Sequence, residues 1–215
     1  MPAFTTNTTV AGTGINLFSD PSAAFCSSNA PLGSFCLPAQ PDRGIAANPS
    51  LLADGSGKLY ALWTLGFPGS AVTDVELQTS TNGGATWSAP VQVNDDNTPG
   101  KFTSGASDFF PWGAIDPATG ALHVSFYSTR LDLTNATTNV YDAVSTNGGA
   151  SFGANSRVTD VASNESVSNP NRDMGNNYGD YEGITMQGGK EHPVWMDTRY
   201  SSIPNVGEEV FTTSR

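Results

Sequence analysis

The chain has 215 residues, 37% of them hydrophobic and only 13% charged, with 23 Gly and 14 Pro. That is enough apolar material for one sizeable core, and the profile is that of a turn-rich all-β domain rather than a helical one. A net charge of −11, carried with only three lysines and six arginines, opposes binding to a phosphate backbone, and no apolar run approaches the length of a membrane span.

The opening MPAFTTNTTV has neither the basic n-region nor the apolar h-region of a signal peptide. Phe4 and Val10 stand six residues apart, a spacing that returns twice further on, and residues 3–10 read as a lone strand. A polar segment, 11–47, follows as an inserted loop and contains the only two cysteines, Cys26 and Cys36. A disulfide closing a small loop in an oxidising compartment is one reading and two free thiols the other; two cysteines are too few for a structural zinc. Few lysines and abundant Asn and Thr lean the chain towards a secreted protein.

From Ser50 a repeat begins. SLLADGSGKLYALW (50–63), GAIDPATGALHVSF (113–126) and EGITMQGGKEHPVW (182–195) match without a gap, aligning Leu52 with Ile115 and Ile184, and Trp63 with Phe126 and Trp195. Each reads as a hairpin of short buried strands about a glycine turn, and those six residues are expected to be buried between sheets. After each hairpin comes a third strand; in the first two units STNGGATW (80–87) or STNGGASF (145–152) follows, and then a fourth strand. In the third unit, GEEVFTTSR sets Ser214 on Ser80, so the chain stops inside a third copy of the turn. Four-stranded repeats of this length are the signature of propeller blades. The expected fold is therefore an all-β propeller domain over 1–215 with three four-stranded antiparallel blades. Three blades cannot close a ring, and a homodimer of half-propellers would complete one of six.

The two turns resemble the Asp-box, or BNR repeat, of sialidases and related β-propellers, whose pattern is Ser-x-Asp-x-Gly-x-x-Trp. Ser80, Asn82, Gly84 and Trp87 fill it, as do Ser145, Asn147, Gly149 and Phe152, with Asn for Asp twice and Phe for Trp once. The resemblance implies a propeller in which these turns are structural and lie on the face away from any active site. Sialidases also carry a Phe/Tyr-Arg-Ile-Pro motif. In AANPSLL, Pro49 and Ser50 fit that motif, but Ala47 stands where the arginine belongs. The segments GDYEGI and HPVWMDTR look like those of secreted bacterial BNR-repeat glycosidases. The resemblance thus implies a secreted, carbohydrate-active, sialidase-like protein, as a glycoside hydrolase or as a non-catalytic glycan-binding or structural propeller.

The long connections, between strands 2 and 3 and between successive units, share the face opposite those turns and form the candidate site. Paired carboxylates beside aromatics and arginines suit glycoside hydrolysis, which places Asp180, Glu182 and Asp197 as candidate catalytic groups. Arg130, Arg199 and Arg172 would hold the sugar, with Trp112 and Tyr181 beside them. Tyr181 and Glu182 are adjacent on a strand and point opposite ways, so they cannot act as the Tyr–Glu nucleophile pair of sialidases. The bland alternative is that Asp197 and Arg199 form a structural ion pair. His123 and His192 fall in different blades and read as packing positions, and NDDNTPG (94–100) reads as a solvated turn rather than a Ca²⁺ loop. No cofactor or metal is called for.

Overall fold

A computed structural model of the chain describes residues 35–66, 72–96, 105–165, 178–179, 182–200 and 209–215. Every regular element among them is a strand. β1 (Phe35–Leu37) and β2 (Gln40–Ile45) form a hairpin; β3 (Ser50–Ala53), β4 (Leu59–Gly66), β5 (Thr73–Ser80) and β6 (Val91–Gln92) form a first four-stranded sheet. The second sheet is β7 (Asp108–Ile115), β8 (Leu122–Ser128), β9 (Asn139–Ser145) and β10 (Ser156–Arg157). The third is β11 (Gly183–Gln187), β12 (Lys190–Asp197) and β13 (Glu209–Thr212). All three are antiparallel meanders in chain order. The residues expected to form a lone N-terminal strand, 3–10, lie outside the described residues.

The sheets stack face to face, and strand alternation decides which side chains meet. On β4, Tyr60 and Leu62 turn towards the second sheet, joined by Val75 and Leu77 of β5. They meet Leu122, Val124 and Phe126 of β8 and Ala143 of β9 in one apolar cluster. The opposite face of β8, with His123, Ser125 and Tyr127, turns to the third sheet. Tyr127 there joins Phe109, Val140, Tyr178 and Trp195 in a second cluster. Of the six residues expected between sheets, Phe126, Ile184 and Trp195 are buried. Leu52 and Ile115 are half-buried at the border of the first cluster, and Trp63 is half-buried on the outer face of the first sheet, which no described element covers.

Three sequence expectations need correction. The hairpins are not gap-free copies. β3 and β4 are joined across residues 54–58 and β7 and β8 across 116–121, but β11 and β12 turn on Gly188 and Gly189 alone. The third unit also runs one residue out of the expected register. Trp63 pairs with Glu76 and Phe126 with Tyr141, while Trp195 pairs with Phe211. The Arg215 amide and carbonyl bond those of Glu191, so Arg215, not Ser214, is the counterpart of Ser80 and Ser145. Lastly, residues 35–45, inside the segment read as a loop, form the β1–β2 hairpin, and Leu37, Ala39 and Ile45 pack into the second cluster. Cys36 is disulfide-bonded; Cys26 lies outside the described residues.

The two STNGGA turns close alike. Ser80 Oγ donates to Asn82 Oδ1 (2.9 Å) and accepts from the Gly84 amide (2.9 Å), while Asn82 Oδ1 accepts the Thr86 amide (2.9 Å). Ser145, Asn147, Gly149 and Ser151 repeat this at 2.9, 2.9 and 3.0 Å. Asparagine thus supplies the oxygen that an aspartate would, as expected from its side-chain carbonyl.

Candidate functional site

The backbone departs from ordinary conformations where the chain enters the first strand of each sheet. Asn48, Phe110 and Tyr178 have φ of 41°, 54° and 56°. A left-handed conformation is unusual for a bulky aromatic and persists only where the surroundings enforce it. Phe110 lies at an irregularity in the β7–β8 pairing, and its amide donates to Thr64 Oγ1 of the first sheet at 3.1 Å. These entries share one face with the ends of β4, β8 and β12, where the long connections gather.

On that face, at the joint of the second and third sheets, the structure brings Glu182 and Trp112 together around Ser125. Trp112 pairs with Ser125 across β7 and β8, so both side chains turn towards the third sheet. Glu182 immediately precedes β11 and is buried, yet neither carboxylate oxygen has a hydrogen-bond partner. Burial pushes its pKa well above the ordinary glutamate value, and the nearby Ser125 hydroxyl, which falls short of hydrogen-bond geometry, opposes this only in part. Glu182 in turn adds to the burial that raises the Tyr127 hydroxyl. Trp112 is 37% exposed, an aromatic surface open to solvent at the joint where the Glu182 carboxyl is buried.

The two repeated arginines have a different setting. Arg130 donates to Asp95 Oδ1 (2.6 Å), Asn155 Oδ1 (3.1 Å), Ser128 Oγ (2.9 Å) and Asp108 Oδ1 (3.4 Å), and lies 4.1 Å from the Tyr141 ring centroid. Arg199 donates to both oxygens of Asp197, at 2.7 Å from its amide and 2.6 Å from Nη2. It also donates to Asp160 (2.8 Å) and lies 4.3 Å from the Phe211 centroid. Tyr141 and Phe211 are equivalent positions, as are Asp95 and Asp160, each two residues past Val93 and Val158. Each arginine therefore staples the loop after one sheet's fourth strand to the next sheet. Asp95 and Asp96 belong to the first staple, so the NDD stretch is not a solvated turn. Asp197 is buried within the second staple; its ion pair with Arg199 is the alternative raised from the sequence.

Asp180, Tyr181 and Arg172 lie outside the described residues. Sequence reasoning placed Tyr178 on the long-loop face but did not single out Ser125, Tyr127 or Glu165. Glu165 is fully buried and accepts from Ser163 Oγ at 2.9 Å, and the Tyr127 and Tyr178 rings meet at 4.9 Å beside it. Nothing in SNES distinguishes Glu165 from an ordinary loop acid, and strand alternation marks Ser125 and Tyr127 only as positions facing the next sheet. The sequence reads His123 as a packing position because it and His192 fall in different blades. It instead reaches across the joint, 3.2 Å from Asp142 of β9 and 3.2 Å from Glu191 of β12.

No protein-family model matches the chain, and no curated protein matches it in sequence. Solved structures do resemble it. A Hadza microbial sialidase superposes with a TM-score of 0.55 at 15% identity, over 78% of this chain and 34% of that one. The α-L-arabinanase of Penicillium chrysogenum, complexed with arabinobiose, gives 0.57 at 18%, over 78% and 45%. The α-L-arabinofuranosidase of Fusarium graminearum, complexed with an iminosugar inhibitor, gives 0.54 at 17%, over 78% and 44%. The likeness is one of fold: the stacked antiparallel sheets resemble those of these β-propeller structures. The chain spans between a third and a half of the length of these structures.

Proposed function

We propose that the chain is half of a secreted, sialidase-like glycoside-hydrolase propeller with Asp-box turns, and that it takes a neutral glycan on the strand-entry face between the second and third sheets. The observation that carries this is Glu182, a buried carboxyl with no partner beside the exposed Trp112. A carboxyl whose burial favours its protonated form can deliver its proton to a glycosidic oxygen, and an exposed indole offers a sugar ring a face to stack on. Asp180, two residues earlier, is the second carboxylate of the pair, and Tyr181 and Arg172 contribute from the same stretch. Asp197, neutralised by Arg199, positions the end of β12. Arg130 and Arg199 act as staples that shape the site rather than as clamps on an anionic sugar, since their guanidiniums are already bonded to carboxylates. With Ala47 in place of the motif arginine, this favours a neutral sugar over a sialoside.

The test is a panel of chromogenic glycosides, neutral pentosides and hexosides against a sialoside, with a glycan array in parallel. Glu182→Gln is expected to lower turnover by about a hundredfold or more while array binding persists, and Trp112→Ala to weaken binding. A Glu182→Gln variant as active as the parent, or a parent that neither binds nor hydrolyses, overturns the assignment. The ionic engagement of Asp197 favours one second reading, a glycan-binding propeller without turnover. A parent that binds the array and hydrolyses nothing would select it.

A further inference from the structure

We propose that His123, Asp142 and Glu191 form a divalent-metal site of the zinc type, bridging the second and third sheets away from the glycan face. Asp142 pairs across the strands with Ser125 and His123 with Val144, so the two side chains are diagonal neighbours on the face turned to the third sheet. Glu191, the second residue of β12, arrives from that sheet. One ligand atom from each residue lies within 4.8 Å of the other two, and no other such trio of His, Cys, Asp or Glu assembles among the described residues.

The spacing fits a metal. His123 Nδ1 lies 3.2 Å from Asp142 Oδ2 and 3.2 Å from Glu191 Oε2. Ligands held at zinc distances of about 2.0–2.1 Å at tetrahedral corners stand about 3.3–3.4 Å apart. A lone N–H on Nδ1 can serve one of the two carboxylates well, whereas a cation satisfies both. Asp142 is 2% exposed, and its Oδ1 finds no partner, leaving buried acceptor capacity in the cluster. The remaining oxygen of Glu191, Oε1, is bound by Arg215 Nε. Arg215 is itself fixed by the Arg157 carbonyl at 3.0 Å and Ser156 Oγ at 2.8 Å. That arrangement orients Glu191, directing Oε2 at the cluster, and sets Arg215 Nη2 3.8 Å from Asp142 Oδ2 at its border. One imidazole and two carboxylates suit Zn²⁺ or Mn²⁺, while Ca²⁺ asks for six to eight oxygens that three side chains cannot give. The partly exposed His123 edge leaves room for water at the fourth position.

Because the ligands come from two sheets, bound metal would tie the third sheet to the second, and its signature is stability as well as binding. The full chain, dialysed against chelator, is titrated with Zn²⁺ by calorimetry and melted with and without it, Ca²⁺ serving as control. The expectation is one Zn²⁺ per chain, a raised melting midpoint with Zn²⁺ only, and at least a roughly tenfold loss of affinity in both Asp142→Asn and His123→Gln. His192→Gln, at the chain's only other histidine, is expected to bind like the parent. Absence of heat and of any midpoint shift in the parent overturns the proposal. So does undiminished binding in Asp142→Asn, a nearly isosteric variant whose fold is checked by its melt. Loss of binding in His192→Gln but not in His123→Gln would place the metal elsewhere and overturn it equally.

Discussion

Gly84 and Gly149 hold the same place in two copies of one turn, yet their surroundings set different limits. Both have a left-handed φ, 86° and 83°. A Cβ on Gly84 would meet nothing closer than 3.7 Å, whereas one on Gly149 would lie 2.6 Å from Leu77 Cδ2 and 3.2 Å from Thr79, because the second turn is pressed onto β5. Gly149→Ala is therefore expected to destabilise by about 2–4 kcal/mol, combining overpacking with the left-handed penalty, and Gly84→Ala by about 1–2 kcal/mol. Urea denaturation of both variants checks the difference; equal losses would mean the backbone term alone operates. At Glu76 the governing effect is protonation. Burial, with Asp74 adding to it, pushes its carboxyl up to about 7. A raised acid favours the folded state fully below its unfolded value, and that contribution disappears as pH rises through the folded one. Glu76 should thus make stability fall between about pH 4.5 and 7, and Glu76→Gln should flatten that part of the melting-midpoint profile. A profile parallel to the parent's would refute it. Glu182 works in the same direction, so the comparison is between variant and parent at each pH.

The turn is the element whose chemistry the sequence expressed best. Asn147 Oδ1 accepts from the Ser145 hydroxyl and the Ser151 amide, and its Nδ2 donates to Ser151 Oγ at 2.8 Å. Asn147→Ala should cost about 1–2 kcal/mol by denaturant unfolding, and Asn147→Asp, which keeps the accepting oxygen, much less. Equal losses in the two would show that the oxygen is not what closes the turn. Such turns are legible because their bonds run between residues two to four apart. The four-strand repeat was legible for a related reason, since alternation and glycine turns are local. What failed to show was what depends on contacts distant in sequence. The one-residue slip of β13 follows from Trp195 stacking on Phe211, which GEEVFTTSR does not announce. The β1–β2 hairpin carries two prolines and little alternation, and is held by the aromatic cluster beneath it. At the candidate site, Glu182 could be named from sequence as the entry to a first strand, whereas Trp112, expected at such an entry, lies inside β7, which begins at Asp108. That Arg130 and Arg199 are bound by Asp95 and Asp160 could not, because those partners are 35 and 39 residues away and lie across a sheet joint.

At the scale of the whole molecule, no described element covers either end of the stack. The first sheet presents Leu51 and Trp63 outward, and the third presents Val194 and Val210; Leu51 and Val210 are each 67% exposed. By the alternation that governs the inner joints, these are the equivalents of faces that mate inside the chain. Two copies related by a two-fold axis would bury both and give six sheets. Light scattering at micromolar concentration is expected to return a dimer mass, and Val210→Lys to return a monomer; a well-folded monomeric parent would rule the assembly out. The inner joints are themselves unlike. The first is apolar through its centre, from Tyr60 to Phe126, with its polar groups gathered at the strand-entry end around Asp74, Asn94, Asp108 and Arg130. The second mixes its aromatics with Glu182, Glu165 and the His123–Asp142–Glu191 group. Amide exchange should register that asymmetry as two separate opening events. The β12 protons would be released together at low cost, as the third sheet detaches whole, while those of β4 and β8 wait for global unfolding. The chain would then be a rigid pair of sheets with a third hung on it, and a ligand seated at the second joint would act as the pin of that hinge.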